Sequence, residues 1–169
     1  MYEVVERYER PLVRYAARLL SDVEHARDVV QDTFLQLARQ DHSKLDGRLP
    51  EWLFTVCRNR ALDVRKKEAR MNELPDDWED WAETFRCREA DHTERLVLQE
   101  TNGEVADILH SLPEKQQEVI RLKFYGDLSY REISRITDLS VSNVGYLIHT
   151  AIKTIRERLV RQAEPARKR

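Results

Sequence analysis

P-E-W-L-F-T-V-C-R-N-R-A-L-D-V-R-K-K-E-A-R, Pro50 to Arg70, reads as one helix. Pro50 suits a first helical turn, where its missing N–H leaves no hydrogen bond unmade. Leu53, Val56, Cys57, Ala61 and Val64 recur at three- and four-residue steps and so share a face. Arg58, Asn59, Arg65, Lys66 and Arg70 fall largely off that stripe. An aromatic entry, a central amide and a basic second half make a surface suited to nucleic-acid backbone and bases. Taken alone, the pattern favours an ordinary amphipathic helix with a solvated charged face. Its neighbours decide between the two.

Towards the N-terminus, residues 3–20 give a first helix, with Val4, Val5, Tyr8, Leu12, Tyr15 and Leu19 on one side. Pro11 within that pattern is expected to kink it or split it in two. A second helix begins near Asp22, which can cap the N–H groups of the next turn. Val23, Ala26, Val30, Phe34, Leu37 and Ala38 make its expected buried face. Asp28, Gln31, Asp32 and Leu35 make another face, at steps of three, one and three. Two carboxylates at i,i+4 repel by a few tenths of a kcal/mol, and here they sit beside an apolar leucine. A docking surface for a basic partner accounts for both features, and on this face alone a merely solvated acidic surface is an equal alternative. Asp41–Leu49, a cluster of Asp, Ser and Gly, is a loop that brings Lys44 and Arg48 to the mouth of the Pro50 helix.

Towards the C-terminus the periodicity stops after Arg70. Met71 to Phe85 carries six acids, no base and two tryptophans, so 71–92 reads as an acidic linker between bodies at 1–70 and 93–169. A helix from Glu94 to His110, interrupted near Asn102-Gly103, opens the second body. Leu112-Pro113 starts the next helix, and Gly126 is expected to close it as the residue after its cap. Ser129 with Glu132 three residues on is a capping box for a short helix, Tyr130–Thr137, burying Ile133 and Ile136. Asp138 marks a break of the kind that tolerates left-handed backbone. A long helix follows from about Val141 to Arg161, with Val144, Ile148, Ala151, Ile155 and Leu159 as its seam.

A capped short helix, a tight turn and a long helix with a polar opening form the helix-turn-helix layout. In that motif the first turns of the second helix meet base edges in the major groove. Ser142, Asn143, Tyr146 and His149 lie off the seam and are the candidate readers. Lys153 and Arg156 lie farther along, placed for phosphate.

Composition narrows the class. Of 169 residues 36% are charged and only four are Gly, which fits an all-α protein better than a sheet protein. The net charge of −2 is unevenly spread. Residues 1–70 carry 14 basic and 12 acidic side chains, 71–103 carry 3 and 10, and 104–169 carry 12 and 9. Two mildly basic bodies are thus joined by an acidic strap. Two cysteines, Cys57 and Cys87, with no Cys-x-x-Cys and five scattered His, support neither a zinc site nor a disulfide framework. No cofactor is expected, and no Gly-rich phosphate loop or Ser/His/Asp set points to an enzyme. No run approaches membrane-spanning length, so membrane insertion is not expected and a reducing cytoplasm is the default.

Three segments in order resemble bacterial RNA polymerase sigma factors of the extracytoplasmic-function (ECF) group. D-V-V-Q-D-T-F-L at 28–35 resembles the region 2.2 signature D-x-x-Q-D-x-F-L. Residues 50–67 resemble the W-L-x-x-I-x-x-N-x-x-x-D-x-x-R pattern of regions 2.3–2.4, and L-P-E-K-Q-Q-E-V-I-R-L-K-F-Y-G-D-L-S-Y-R-E-I at 112–133 resembles regions 4.1–4.2. The resemblance implies two small helical domains, a region 2 bundle and a region 4 helix-turn-helix. It implies that Asp28, Gln31, Asp32 and Leu35 dock on the β′ clamp helices of RNA polymerase core. The 41–49 loop and Asn59 would hold a base flipped from the −10 element of promoter DNA. Arg58, Arg60, Arg65 and Lys66 would steady the backbone of the opening duplex. Residues 142–153 would read the −35 element, and the second body would rest on the β flap. The acidic strap would thread the basic channels of the polymerase in place of RNA, and an anti-sigma factor is the expected regulator.

Two departures qualify what is carried over. Gly145, Leu147 and Thr150 stand where the family usually has basic residues, and Gly145 costs about 1 kcal/mol of helix propensity against Ala. The 41–49 loop lacks the aromatic often found there. A rival reading is a freestanding helix-turn-helix regulator with residues 1–70 as a sensing or dimerising domain, which predicts a dimer on palindromic sites.

Overall fold

The computed structural model describes residues 2–40, 45, 47–71 and 103–163. They form seven helices and, among the described residues, no strand. The chain divides into two compact units, one built of the first three helices and one of the last four. The all-α, two-domain class expected from the sequence is the one observed. The expected linker beyond Met71 and the expected helical segment 94–102 lie outside the described residues.

In the first unit α1 spans Tyr2–Leu20, α2 Val23–Arg39 and α3 Leu49–Met71. Pro11 does not split α1, which runs through it as one helix. Proline removes a hydrogen bond and crowds the preceding turn, at a cost of ~3 kcal/mol in a helix interior. Here Tyr8 precedes it and Leu12, Tyr15, Ala16 and Ala17 follow it, all buried, so packing on both sides of the proline holds the helix together. Ser21, with φ +53°, turns the chain between α1 and α2. Asp22 caps α2 as expected, its Oδ1 accepting from the His25 N–H at 2.8 Å.

The α2 core face differs in part from the expected one. Val23, Ala26, Val30 and Leu37 are buried, but Phe34 is half-buried and Ala38 exposed, while Val29 and Thr33 are buried. Thr33 is tolerated there because its hydroxyl donates to the Val29 carbonyl at 2.8 Å. On α3, Leu53, Phe54, Cys57 and Ala61 are fully buried, and Val56 and Val64 only half so. The buried stripe is therefore rotated towards Phe54, whose ring meets Tyr15 edge-on at 5.5 Å and 70°. Burial pushes the Cys57 thiol up to about 12, the hydrogen bond with Thr33 acting the other way.

The second unit comprises α4 (Gly103–His110), α5 (Glu114–Tyr125), α6 (Tyr130–Thr137) and α7 (Val141–Ala163). The Gln117 side chain staples the α4–α5 turn, donating to the carbonyls of His110 at 2.9 Å and Leu112 at 2.6 Å. Arg158 of α7 donates to the Ser111 hydroxyl in the same turn. Gly126 ends α5 in right-handed geometry, with φ −89° and ψ −12°. The left-handed residue is Asp127, φ +50°. The carboxylate residue takes the left-handed conformation, and the glycine before it is buried. Leu112, Val119, Leu122, Leu128, Ile133, Ile136, Val144, Ile148 and Ala151 are buried and form this unit's core. Ile155 and Leu159 continue the α7 seam only half-buried.

Candidate functional site

The helix-turn-helix is built from short-range bonds that the sequence encodes locally. The Ser129 hydroxyl accepts from the Glu132 N–H at 3.3 Å, and Glu132 Oε2 accepts from the Ser129 N–H at 2.7 Å, a closed capping box. Thr137 Oγ1 donates back to the Ile133 carbonyl at 2.7 Å. Asp138, at φ +57° and ψ 25°, makes the left-handed break. Ser134 Oγ reaches across the turn to the Leu139 carbonyl at 2.5 Å. Ser140 Oγ then accepts from the Asn143 N–H at 3.2 Å and starts α7. Val144, Ile148 and Ala151 point inward, so the opposite side of α7 is turned out.

On that outer side Ser142, Asn143, Tyr146, His149, Lys153 and Arg156 are all exposed, Tyr146 to 67%. Ser142, Gly145 and His149 follow one another at helical steps of three and four, with Tyr146 beside them. A side chain added at Gly145 would start 3.6 Å from Tyr130 Cε2. The Tyr130 ring of α6 therefore borders α7 at Gly145. Sequence reading did not place Tyr130 beside the reading face; a glycine inside an otherwise regular helix was the signal that something packs there.

In the first unit Asp28, Gln31, Asp32 and Leu35 are all exposed, Leu35 to 56%, and lie on one side of α2. Val29, Val30, Thr33 and Leu37 hold the other side in the core.

On α3 Asn59 and Lys66 are exposed two turns apart, with exposed Asp63 between them. Arg58 and Arg65 are half-buried, each with partners of its own. Arg48 is exposed in the turn that enters α3, its N–H bonded to the Leu45 carbonyl at 2.9 Å. Gly47, at φ +73°, supplies the left-handed step there. The Arg60 guanidinium turns towards α2, with Nη1 3.7 Å from Asp32 Oδ2. Lys44 and the side chain of Arg70 lie outside the described residues.

A helix-turn-helix in one unit and a three-helix bundle in the other make a two-unit protein that is all-helical among the described residues. Residues 4–71 match the model of sigma-70 region 2, and residues 102–155 match that of sigma-70, region 4. The chain belongs to the sigma-70 family of RNA polymerase sigma factors, in its ECF group. It is 24% identical to the ECF RNA polymerase sigma factor SigM of Bacillus subtilis over 141 residues, 83% of each chain. It is 28% identical to the ECF factor RpoE of Cereibacter sphaeroides, over 80% of this chain and 71% of that one. With SigW of Bacillus subtilis the identity is 25%, over 93% of this chain and 87% of the relative. The family is one of transcription initiation factors that bind polymerase and recognise promoters, not of enzymes. No helix among the described residues is long and apolar enough to cross a membrane.

Proposed function

We propose that the chain joins RNA polymerase core through the Asp28, Gln31, Asp32 and Leu35 face of α2, against the β′ clamp helices, and grips two promoter elements at once. Leu35, left 56% exposed on an ordered helix among carboxylates, carries this reading. Arg48, Arg58, Asn59, Arg65 and Lys66 serve the −10 element, with Lys44 from the adjoining loop. Ser142, Asn143, Tyr146 and His149 read the −35 element, while Lys153 and Arg156 hold phosphate.

The proposed domains are 1–70 and 93–169, joined by a strap at 71–92 whose acidity suits the polymerase's basic channels. Unstacking a base costs a few kcal/mol, and binding at two sites at once supplies it. The tether raises the effective concentration of the second grip. Neither body is strongly basic, so the free factor binds duplex promoter weakly. The β flap as a rest for the second unit, a cytoplasmic setting and an anti-sigma factor belong to the same proposal, supported by group membership.

Capture of core polymerase by the tagged full chain tests the reading. Stoichiometric retention of core is expected. A dimer that binds palindromic duplex and ignores core would replace this reading with that of a freestanding regulator.

A further inference from the structure

Arg60 sits on the helix proposed to face promoter DNA, yet its side chain is engaged with the other face of the unit. Its Nη1 is 3.7 Å from Asp32 Oδ2. With the Gln36 amide oriented so that its oxygen faces the guanidinium, that oxygen accepts from Nε at 3.1 Å and from Nη2 at 2.6 Å. One guanidinium thus spans a carboxylate and an amide four residues apart on α2. The planar fork of Arg suits this two-point contact, and a lysine ammonium does not reproduce it.

The α2 face needs such a counter-charge. Asp28 and Asp32 stand one turn apart, both exposed, and like charges at that spacing disfavour the ordered face. Arg60 is a cation that α3 presents to Asp32 of this pair. Between the same two helices, Thr33 of α2 and Cys57 of α3, three residues before Arg60, share a buried side-chain hydrogen bond. The Asp32–Arg60–Gln36 link joins the same two helices at the surface.

We propose that Arg60 is a positioning residue of the polymerase-docking face and not a contact to promoter DNA. It holds Asp32 in one orientation beside Leu35, with the carboxylate's remaining lone pairs directed outward for a basic partner group. The inference rests on the docking reading above, and it moves Arg60 out of the DNA-contacting set that the resemblance implies.

Core affinity and promoter binding by the assembled holoenzyme separate the two roles. For Arg60→Ala, affinity for core falls about three- to fivefold, in the range of an exposed ion pair. Asp32→Ala weakens it further, and the double variant is no weaker than Asp32→Ala, because Arg60 acts through Asp32. The salt dependence of holoenzyme binding to promoter stays at the wild-type slope. A slope reduced by about one, the loss of one phosphate contact, would overturn the inference. So would unchanged core affinity, or losses that add in the double variant. Wild-type chain that does not bind core at all would overturn the docking reading, and this inference with it.

Discussion

The Tyr130 ring stands 3.6 Å from the point where a β-carbon on Gly145 would sit, so α6 packs an aromatic against α7 at its glycine. A β-carbon at that distance makes an ordinary van der Waals contact. Gly145→Ala therefore fills no forbidden space and gains helix propensity. It is expected to stabilise the second unit by about 0.5–1 kcal/mol, read as a higher melting temperature for that unit's transition. A destabilised variant would show that the ring cannot accommodate the methyl group.

Phe54 is fully buried and meets Tyr15 edge-on. Phe54→Ala removes both the packing and the aromatic contact, and is expected to cost ~3–5 kcal/mol. Hydrogen exchange should show α1–α3 opening while α4–α7 keep wild-type protection, since the second unit has its own core.

Cys57, buried with its thiol pushed up to about 12, stays protonated at physiological pH. The peptide carrying Cys57 should resist alkylation at pH 8 in the folded chain and react once the chain is unfolded. The folded value lies above the ordinary 9.0, so the contribution to stability is fully present below pH 9 and is lost as pH rises towards 12. Stability measured from pH 8 to pH 10.5 should fall less steeply in Cys57→Ala than in the wild type.

Leu35→Ala touches no core position. Folding stability should stay within ~0.5 kcal/mol of wild type, while affinity for core polymerase drops about tenfold, as expected for an apolar side chain buried on docking. Titration of labelled core with the purified variant, beside a denaturation curve, measures both. Equal core affinity would move the docking surface off α2.

Much of this was legible in the sequence because it is encoded within three or four residues. The Asp22 cap, the Ser129–Glu132 box and the left-handed break at Asp138 each depend on a side chain's own neighbours, and each is present in the structure. Features decided between helices were not legible. The continuity of α1 through Pro11 depends on core burial either side of it, and the rotation of the α3 stripe towards Phe54 depends on Tyr15 of α1. Thr33 looked polar in a linear reading and is fully buried, because the Val29 carbonyl satisfies it. The left-handed residue after α5 fell on Asp127 rather than on the glycine beside it.

The candidate surfaces divide in the same way. That Ser142, Asn143, Tyr146 and His149 face outward follows from the 3.6-residue period of α7 against a seam at Val144 and Ile148. That Tyr130 shares their neighbourhood, and that Arg60 leans on Asp32 instead of lining up with Asn59 and Lys66, are relations between separate helices. No spacing rule within one helix contains them.

The most direct measurement is run-off transcription with purified core polymerase and the full chain, on a library of templates that varies both promoter elements and the distance between them. The account predicts discrete start sites that require core and this chain together, confined to a narrow range of element spacing. Starts that are the same with core alone, or a chain that binds core and directs no initiation at any template, would contradict it.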